Sequence, residues 1–293
     1  MAAKKYSQKL IQLYSFGIPN TVPNDVVEDT IYWEEGVFGG YTNITVPTLE
    51  LFLPLQDAGC TPAVIICPGG AYMKEAYQDE GINIARYLAS TGIAGIVLKY
   101  RLPSDRTMKD KSIGPLQDAQ QAIKVIRQKA GIWNIDPRQV GIMGFSAGGH
   151  LAATAGTHFS KNYVPNKRSV SLRPDFMALV YPLISMSDRL MHHDSRLHLL
   201  GEYPTQDMIK RFSNELQVTE GTPPSWITHR EDDSTVSVEH STLFYHALKE
   251  KGVPAEMHLH PTGEHGFALN IPAEEWMGPL VEWIRSYAWR KAL

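Results

Sequence analysis

The chain has 293 residues, enough for one large α/β domain or two ordinary ones. A net charge of -3, with no long basic or acidic block, excludes nucleic acid and anionic membrane as main partners. Two cysteines exclude a disulfide framework, and no apolar stretch reaches the roughly 18 residues of a membrane helix.

The opening MAAKKYSQKL lacks the apolar core of a signal peptide. The chain is therefore expected in the cytoplasm if Met1 is native, and in the periplasm or outside the cell if a leader has been removed. Residues 1–45 mix Pro, Gly and Asn and read as an N-terminal extension to a catalytic domain over 46–293. LELFLP from Leu49 is the first predicted strand.

An alternation then begins. AVIICPGG (Ala63 to Gly70) is a short apolar run ending in glycines, which predicts a buried strand and a tight loop. EGINIARYLASTG predicts a helix stopped at Gly92. AGIVLKYRL is a strand, LQDAQQAIKVIRQKA an amphipathic helix, and QVGIMGF a strand that runs straight into Ser146. AGGHLAATAG continues as a small-residue helix. FMALVYP (Phe176 to Pro182) and SWITHRE (Ser225 to Glu231) are further strands, followed by a helix from Val238 to Lys251. AEMHLHP is a last strand and AEEWMGPLVEWIRSYAWRKAL a last helix.

Alternating strands and helices predict a mostly parallel, doubly wound sheet between two helical layers. Its ligand site should lie at the carboxyl ends of the strands. Leu183 to Pro224 breaks the pattern and reads as a small cap over those ends.

The chemistry concentrates at GFSAG, which matches G-x-S-x-G between a strand and a helix. That context makes Ser146 a nucleophile on a sharp turn whose flanks must be small. A serine hydroxyl needs a base. His265, in the glycine-flanked loop PTGEHGFAL after the last strand, is the candidate, whereas His258 and His260 lie within the strand and read as packed or surface residues. The acid should follow SWITHRE, where Asp232 and Asp233 are adjacent. For the oxyanion, the Ala147 amide follows the nucleophile, and CPGGAY adds the amides of Gly70 and Ala71. Tyr72 on the same loop is expected at the substrate.

HHDSRLH (His192, His193, Asp194, His198) fits no strong metal signature and reads as a hydrophilic cap segment. Arg101 and Asp118 read as a structural ion pair, His150 as a packing or hydrogen-bonding residue, Cys67 as a buried strand thiol, and Trp276, Trp283 and Trp289 as packing of the last helix.

Together, CPGGAY, KYRLP, GFSAGGHLA, TPPSWITHREDDSTVSVEHS and GEHGFAL resemble bacterial α/β-hydrolase esterases, in particular acetyl-xylan-esterase-like carbohydrate esterases with their dienelactone-hydrolase-like and feruloyl-esterase-like relatives. The likeness runs from about Val46 to the C-terminus. In that family the acid lies four residues before a Val-Pro proline, whose place Ser237 takes here, so the resemblance puts the acid on Asp233. The family's oxyanion segment is richer in glycine than this one, and His198 stands where a cap segment of the family has asparagine. The resemblance implies an α/β-hydrolase three-layer sandwich with a small cap. It implies a serine esterase that deacetylates carbohydrate of xylan type, using no cofactor and no metal. A feruloyl or general short-chain esterase is the alternative, and a binding module on a hydrolase scaffold a minor one. The expected partner is a small-molecule or oligosaccharide ester, and homo-oligomerisation stays open.

Overall fold

The structure, a computed structural model, describes residues 5–55 and 59–290, without the side chains of residues 35 and 287–290. Eleven strands lie within the described residues: β1 Tyr6–Gln12, β2 Asp29–Tyr32, β3 Phe38–Thr42, β4 Thr48–Pro54, β5 Thr61–Cys67, β6 Lys74–Glu75, β7 Ala94–Lys99, β8 Ile135–Phe145, β9 Met177–Val180, β10 Ser225–Arg230 and β11 Ala255–His260. The helices are α1 Ile84–Ser90, α2 Gly114–Lys129, α3 Ser146–Thr157, α4 His193–Leu200, α5 Gln206–Phe212, α6 Glu239–Glu250, α7 Ala273–Trp276 and α8 Gly278–Arg290.

Eight strands form the main sheet in the order β1-β4-β7-β5-β8-β9-β10-β11. From β7 to β11 the neighbours are parallel, whereas β1 and β4 join antiparallel. The fold is the α/β-hydrolase fold. The central strands read as unbroken apolar runs because both faces are covered. Along β5, Ala63, Ile65 and Cys67 belong to one core cluster and Val64 and Ile66 to the other. Leu116 and Ile123 of α2, Leu151 of α3 and Phe244 of α6 join the first cluster; Leu88 of α1 and Leu280 and Ile284 of α8 join the second.

The sheet begins inside the segment read as an extension. β1 pairs with β4 from Tyr6↔Pro54 to Gln12↔Thr48, and β2, β3 and β6 make a separate small sheet. The predicted last helix is broken between Trp276 and Gly278, where Pro279 follows. Trp276 and Trp283 pack at rings of the second core cluster, and Trp289 lies outside the described side chains. Leu183 to Pro224 carries α4 and α5 between β9 and β10. Among the described residues no helix is long and apolar enough to cross a membrane.

Arg101 and Asp118 form the expected buried pair, with Nη2 2.8 Å from Oδ1, and Asp118 also accepts from the Arg101 amide and the Tyr14 hydroxyl. Those extra donors matter, because a buried ion pair gains little unless its remaining lone pairs are satisfied.

Candidate active site

Four loops at the carboxyl ends of parallel strands converge. They follow β5, β8, β10 and β11 and carry the CPGGAY segment, Ser146, Asp233 and His265 respectively. Ser146 has φ +52, a conformation that a non-glycine residue adopts only when its surroundings impose it. The glycines around it are the surroundings. A Cβ on Gly144 would come within 2.1 Å of the Gly148 carbonyl oxygen, and a Cβ on Gly148 within 2.1 Å of the Cys67 carbonyl oxygen. Only hydrogen fits at either position, so β8, α3 and the end of β5 close tightly under the serine.

His265 Nε2 lies 2.9 Å from Ser146 Oγ, and its Nδ1 lies 2.7 Å from Asp233 Oδ2. A carboxylate only accepts, so Nδ1 carries the ring proton of neutral His265 and Nε2 is left to accept from the serine hydroxyl. Asp233 Oδ1 accepts from the amides of Thr235 and Val236 at 3.0 and 2.8 Å. Burial alone would raise the Asp233 carboxyl. Hydrogen bonds from His229 and His265, with the Val236 amide, outweigh it and hold the group below the usual carboxylate range. Asp232 points the other way. It accepts from the amides of Gly263 and Glu264 at 3.0 and 2.9 Å, and so ties the histidine loop to the acid loop.

The Gly69 amide is occupied by Glu80 Oε2 at 2.6 Å. The next two amides, of Gly70 and Ala71, donate to no acceptor among the described residues. Gly70 has φ +134, and a Cβ there would come within 2.2 Å of the Lys74 carbonyl oxygen, so the turn requires glycine. Ala147 lies in the first turn of α3, where amides lack intrahelical acceptors and the helix end favours negative charge.

The BD-FAE family model matches residues 49–248. The chain belongs to the BD-FAE family. It is 35% identical over 223 residues, 74% of its length, to an acetylxylan esterase of Xylanibacter ruminicola, covering 43% of that protein. It is 37% identical over 227 residues, 76% of its length, to the endo-1,4-beta-xylanase B of Butyrivibrio fibrisolvens, covering 35% of that protein. The chain thus spans less than half of each of these two curated relatives. Over whole chains it is similar to the crystal structure of an acetyl ester-xyloside bifunctional hydrolase from Caldicellulosiruptor lactoaceticus, with 36% identity, a TM-score of 0.78 and 96% of both chains covered.

Three residues of this BD-FAE chain support the site without having stood out in the sequence. His229 is fully buried on β10, with Nε2 facing both Asp233 Oδ2 at 3.0 Å and the Val236 carbonyl at 2.9 Å. Two acceptors at one nitrogen make it the protonated one, and Nδ1 receives the Ser241 hydroxyl at 2.7 Å. Glu80 bonds the Gly69 amide with one oxygen and the Tyr181 hydroxyl with the other, at 2.7 Å. The Tyr181 ring packs edge-on to His265, with centroids 4.9 Å apart. Burial raises the Glu80 carboxyl against the opposing pull of Tyr181, Gly69 and His265. The only sequence hint of any of these was the placement of His229 four residues before the acid.

The Tyr72 side chain lies mostly in the core. Its φ of +59 turns the side chain into the core, where it is 1% exposed. Its hydroxyl donates to His150 Nδ1 at 2.8 Å. Only an edge of Tyr72 reaches a pocket of about 200 Å³ shared with Thr42, Met73, Leu102 and His198. His150 is the expected hydrogen-bonding residue. Its Nε2 donates to the Phe212 carbonyl at 2.7 Å, and burial pushes its pKa down to about 4. The cap histidines bond locally: His192 accepts from the Ser195 amide, His193 meets Asp194, and His198 donates to the Asp194 carbonyl. Among the described residues no group of three or more His, Cys, Asp or Glu could hold a metal ion.

Proposed function

We propose that the protein is a serine esterase that removes acetyl groups from acetylated carbohydrate of the xylan or xylo-oligosaccharide type. The observation that carries this reading is the continuous path from Ser146 Oγ through His265 to Asp233, at 2.9 and 2.7 Å. His265 Nε2 takes the serine proton as Oγ attacks the ester carbonyl. The amides of Gly70, Ala71 and Ala147 hold the oxyanion, and such preset donors are worth about 3 kcal/mol each in reactions of this type. As the C–O bond breaks, His265 protonates the departing sugar oxygen, which leaves as a hydroxyl. Water, deprotonated by the same nitrogen, releases acetate and restores the serine. The chemistry is complete in side chains and amides, with no cofactor in any step.

The substrate assignment draws on two supports. Relatives over three quarters of the chain are named an acetylxylan esterase and a xylanase, and the similar solved structure is named an acetyl ester-xyloside hydrolase. A cavity of about 200 Å³ lies beside Tyr72 and Met73, just past Gly70 and Ala71, with Thr42, Asn43, Ser104 and His198 among its walls; Ser146 and His265 do not line it. A mixed polar and apolar wall of that kind, outside the triad, suits the sugar of a substrate and sets no limit on acyl length. Each buried CH₂ would add roughly 0.8 kcal/mol only where a dry slot exists. The test is kcat/KM for acetyl, octanoyl and feruloyl esters beside acetylated xylo-oligosaccharides. Acetyl esters should lead. Preference for octanoyl or feruloyl esters would replace this substrate assignment while leaving the triad in place.

A further inference from the structure

Eight buried side-chain nitrogen or oxygen atoms among the described residues have no hydrogen-bond partner, and four of them belong to residues around one cavity. They are Trp226 Nε1, Trp276 Nε1, Arg230 Nε and His258 Nε2. The cavity, of about 340 Å³, lies over the β10–β11 edge of the sheet on the side of α7 and α8, and Phe267 and Glu275 also line it. Its size falls in the range of about 300–1,000 Å³ usual for small-ligand pockets. It is formed because residues 226, 228 and 230 of β10 face this side, whereas His229 faces the opposite side and the acid loop.

We infer that this cavity is a second, non-catalytic binding site for a neutral pyranoside, such as a xylosyl unit of a glycan chain. Buried polar atoms are ordinarily satisfied, so three orphaned N–H donors and the His258 ring nitrogen around one cavity mark a place where a ligand supplies the partners. Trp226 is 2% exposed, and its indole N–H cannot be satisfied by bulk water. The walls are aromatic. Trp226 and His258 have ring centroids 5.0 Å apart, Phe267 and Trp276 5.3 Å, and the Arg230 guanidinium lies 4.5 Å from the Phe267 ring centre. A pyranose offers what such walls want: apolar C–H faces for the rings and hydroxyl oxygens for the donors. Its hydroxyl protons also suit the one carboxylate present, Glu275. A small anion would satisfy the donors but meet Glu275 with like charge. His258 Nε2 has Glu256 3.5 Å away, too loosely placed to serve as its hydrogen-bond partner.

The site stands on different residues from Ser146, Asp233 and His265, and it needs no ester. It adjoins the catalytic loops through Phe267, two residues after His265, and through Arg230, which packs on Gly263. A glycan held there would be kept at the enzyme surface between turnovers.

The probes are xylotriose and cellotriose without acetyl groups, so the triad has nothing to act on. The chain contains six tryptophans, and each gives one indole N–H signal in a ¹⁵N–¹H spectrum of the full-length protein. Trp276→Phe and Trp226→Phe assign the two signals of interest. Titration with one of the sugars should move both signals saturably while those of Trp33 and Trp133 stay in place. His258→Phe keeps a ring and loses the nitrogen, and should weaken binding by about fivefold with nitrophenyl acetate turnover unchanged. Trp276→Phe should weaken it similarly, which provides a second variant if the first does not fold. Absence of any shift with both sugars would overturn the proposal. So would equal shifts with sodium sulfate, which would make the site an anion site, or shifts produced by protein concentration alone, which would make it a contact between copies.

Discussion

Asp233→Asn should all but abolish turnover without unfolding the protein. The acid receives four hydrogen bonds: two backbone amides at Oδ1 and the nitrogens of His265 and His229 at Oδ2. An asparagine must turn its NH₂ toward one pair. The amides of Thr235 and Val236 cannot become acceptors, so the NH₂ faces the histidines. His229 keeps the Val236 carbonyl as an acceptor at 2.9 Å and need not change. His265 has no such alternative. Its Nδ1 must accept, which moves the ring proton to Nε2, the nitrogen that has to take the proton of Ser146 Oγ. A base in the wrong tautomer costs about 10⁴-fold in kcat, equivalent to about 5 kcal/mol of transition-state stabilisation. Nitrophenyl acetate turnover measures the loss, and ¹⁵N shifts of the His265 ring report which nitrogen carries the proton. A folded Asp233→Asn protein that keeps a tenth of wild-type kcat, or whose His265 keeps its proton on Nδ1, would refute this reasoning.

His229→Phe should lower kcat by about 10- to 100-fold with KM little changed, because a charge-assisted hydrogen bond to the buried acid is lost. His229→Gln, whose amide can still donate, should recover most of the rate; equal damage by both would mean that His229 only packs. The acid side of the stability curve follows from two buried histidines, His150 and His240, each pushed down by burial from 6.5 to about 4. Between those values the unfolded chain binds more protons, so the stability their neutrality provides is full above pH 6.5 and lost as pH falls toward 4. Each accounts for about 2 kcal/mol between pH 7.5 and 5. Burial raises the Glu75 and Glu80 carboxyls and opposes this trend, so the comparison is of urea-unfolding slopes against pH for wild type and His240→Gln. The variant should lose less on acidification, and parallel slopes would contradict the assignment.

The layered fold was legible because its central strands are buried on both faces and its helices lie close to them in sequence. The turn that carries Ser146 was legible for the same reason: strand, elbow, glycines and helix are contiguous. What escaped was long-range or partly exposed. β1 is an edge strand with mostly exposed residues, and its partner β4 lies some forty residues further on, so SQKLIQ carries little apolar signal. Tyr181 and Glu80 meet across 101 positions, and neither sits in a motif. Asp232 and Asp233 are chemically alike in sequence and differ only in what other loops bring to them, the Gly263 and Glu264 amides to one and two histidines to the other. The resemblance to known esterases was needed to choose between them. The inward turn of Tyr72 was hidden because a positive φ at an alanine and then at a tyrosine leaves no residue-type signature.

The central claim is that Ser146 carries the acyl group. Acid quenching during the first turnovers of an acetyl ester, followed by peptide mass spectrometry, tests it directly. The account predicts acetyl on the peptide containing Ser146, its absence in Ser146→Ala, and loss of turnover in that variant by on the order of 10⁴-fold or more. A folded Ser146→Ala protein that still turns over acetyl ester near the wild-type rate, with no acetylated peptide in either protein, would contradict it.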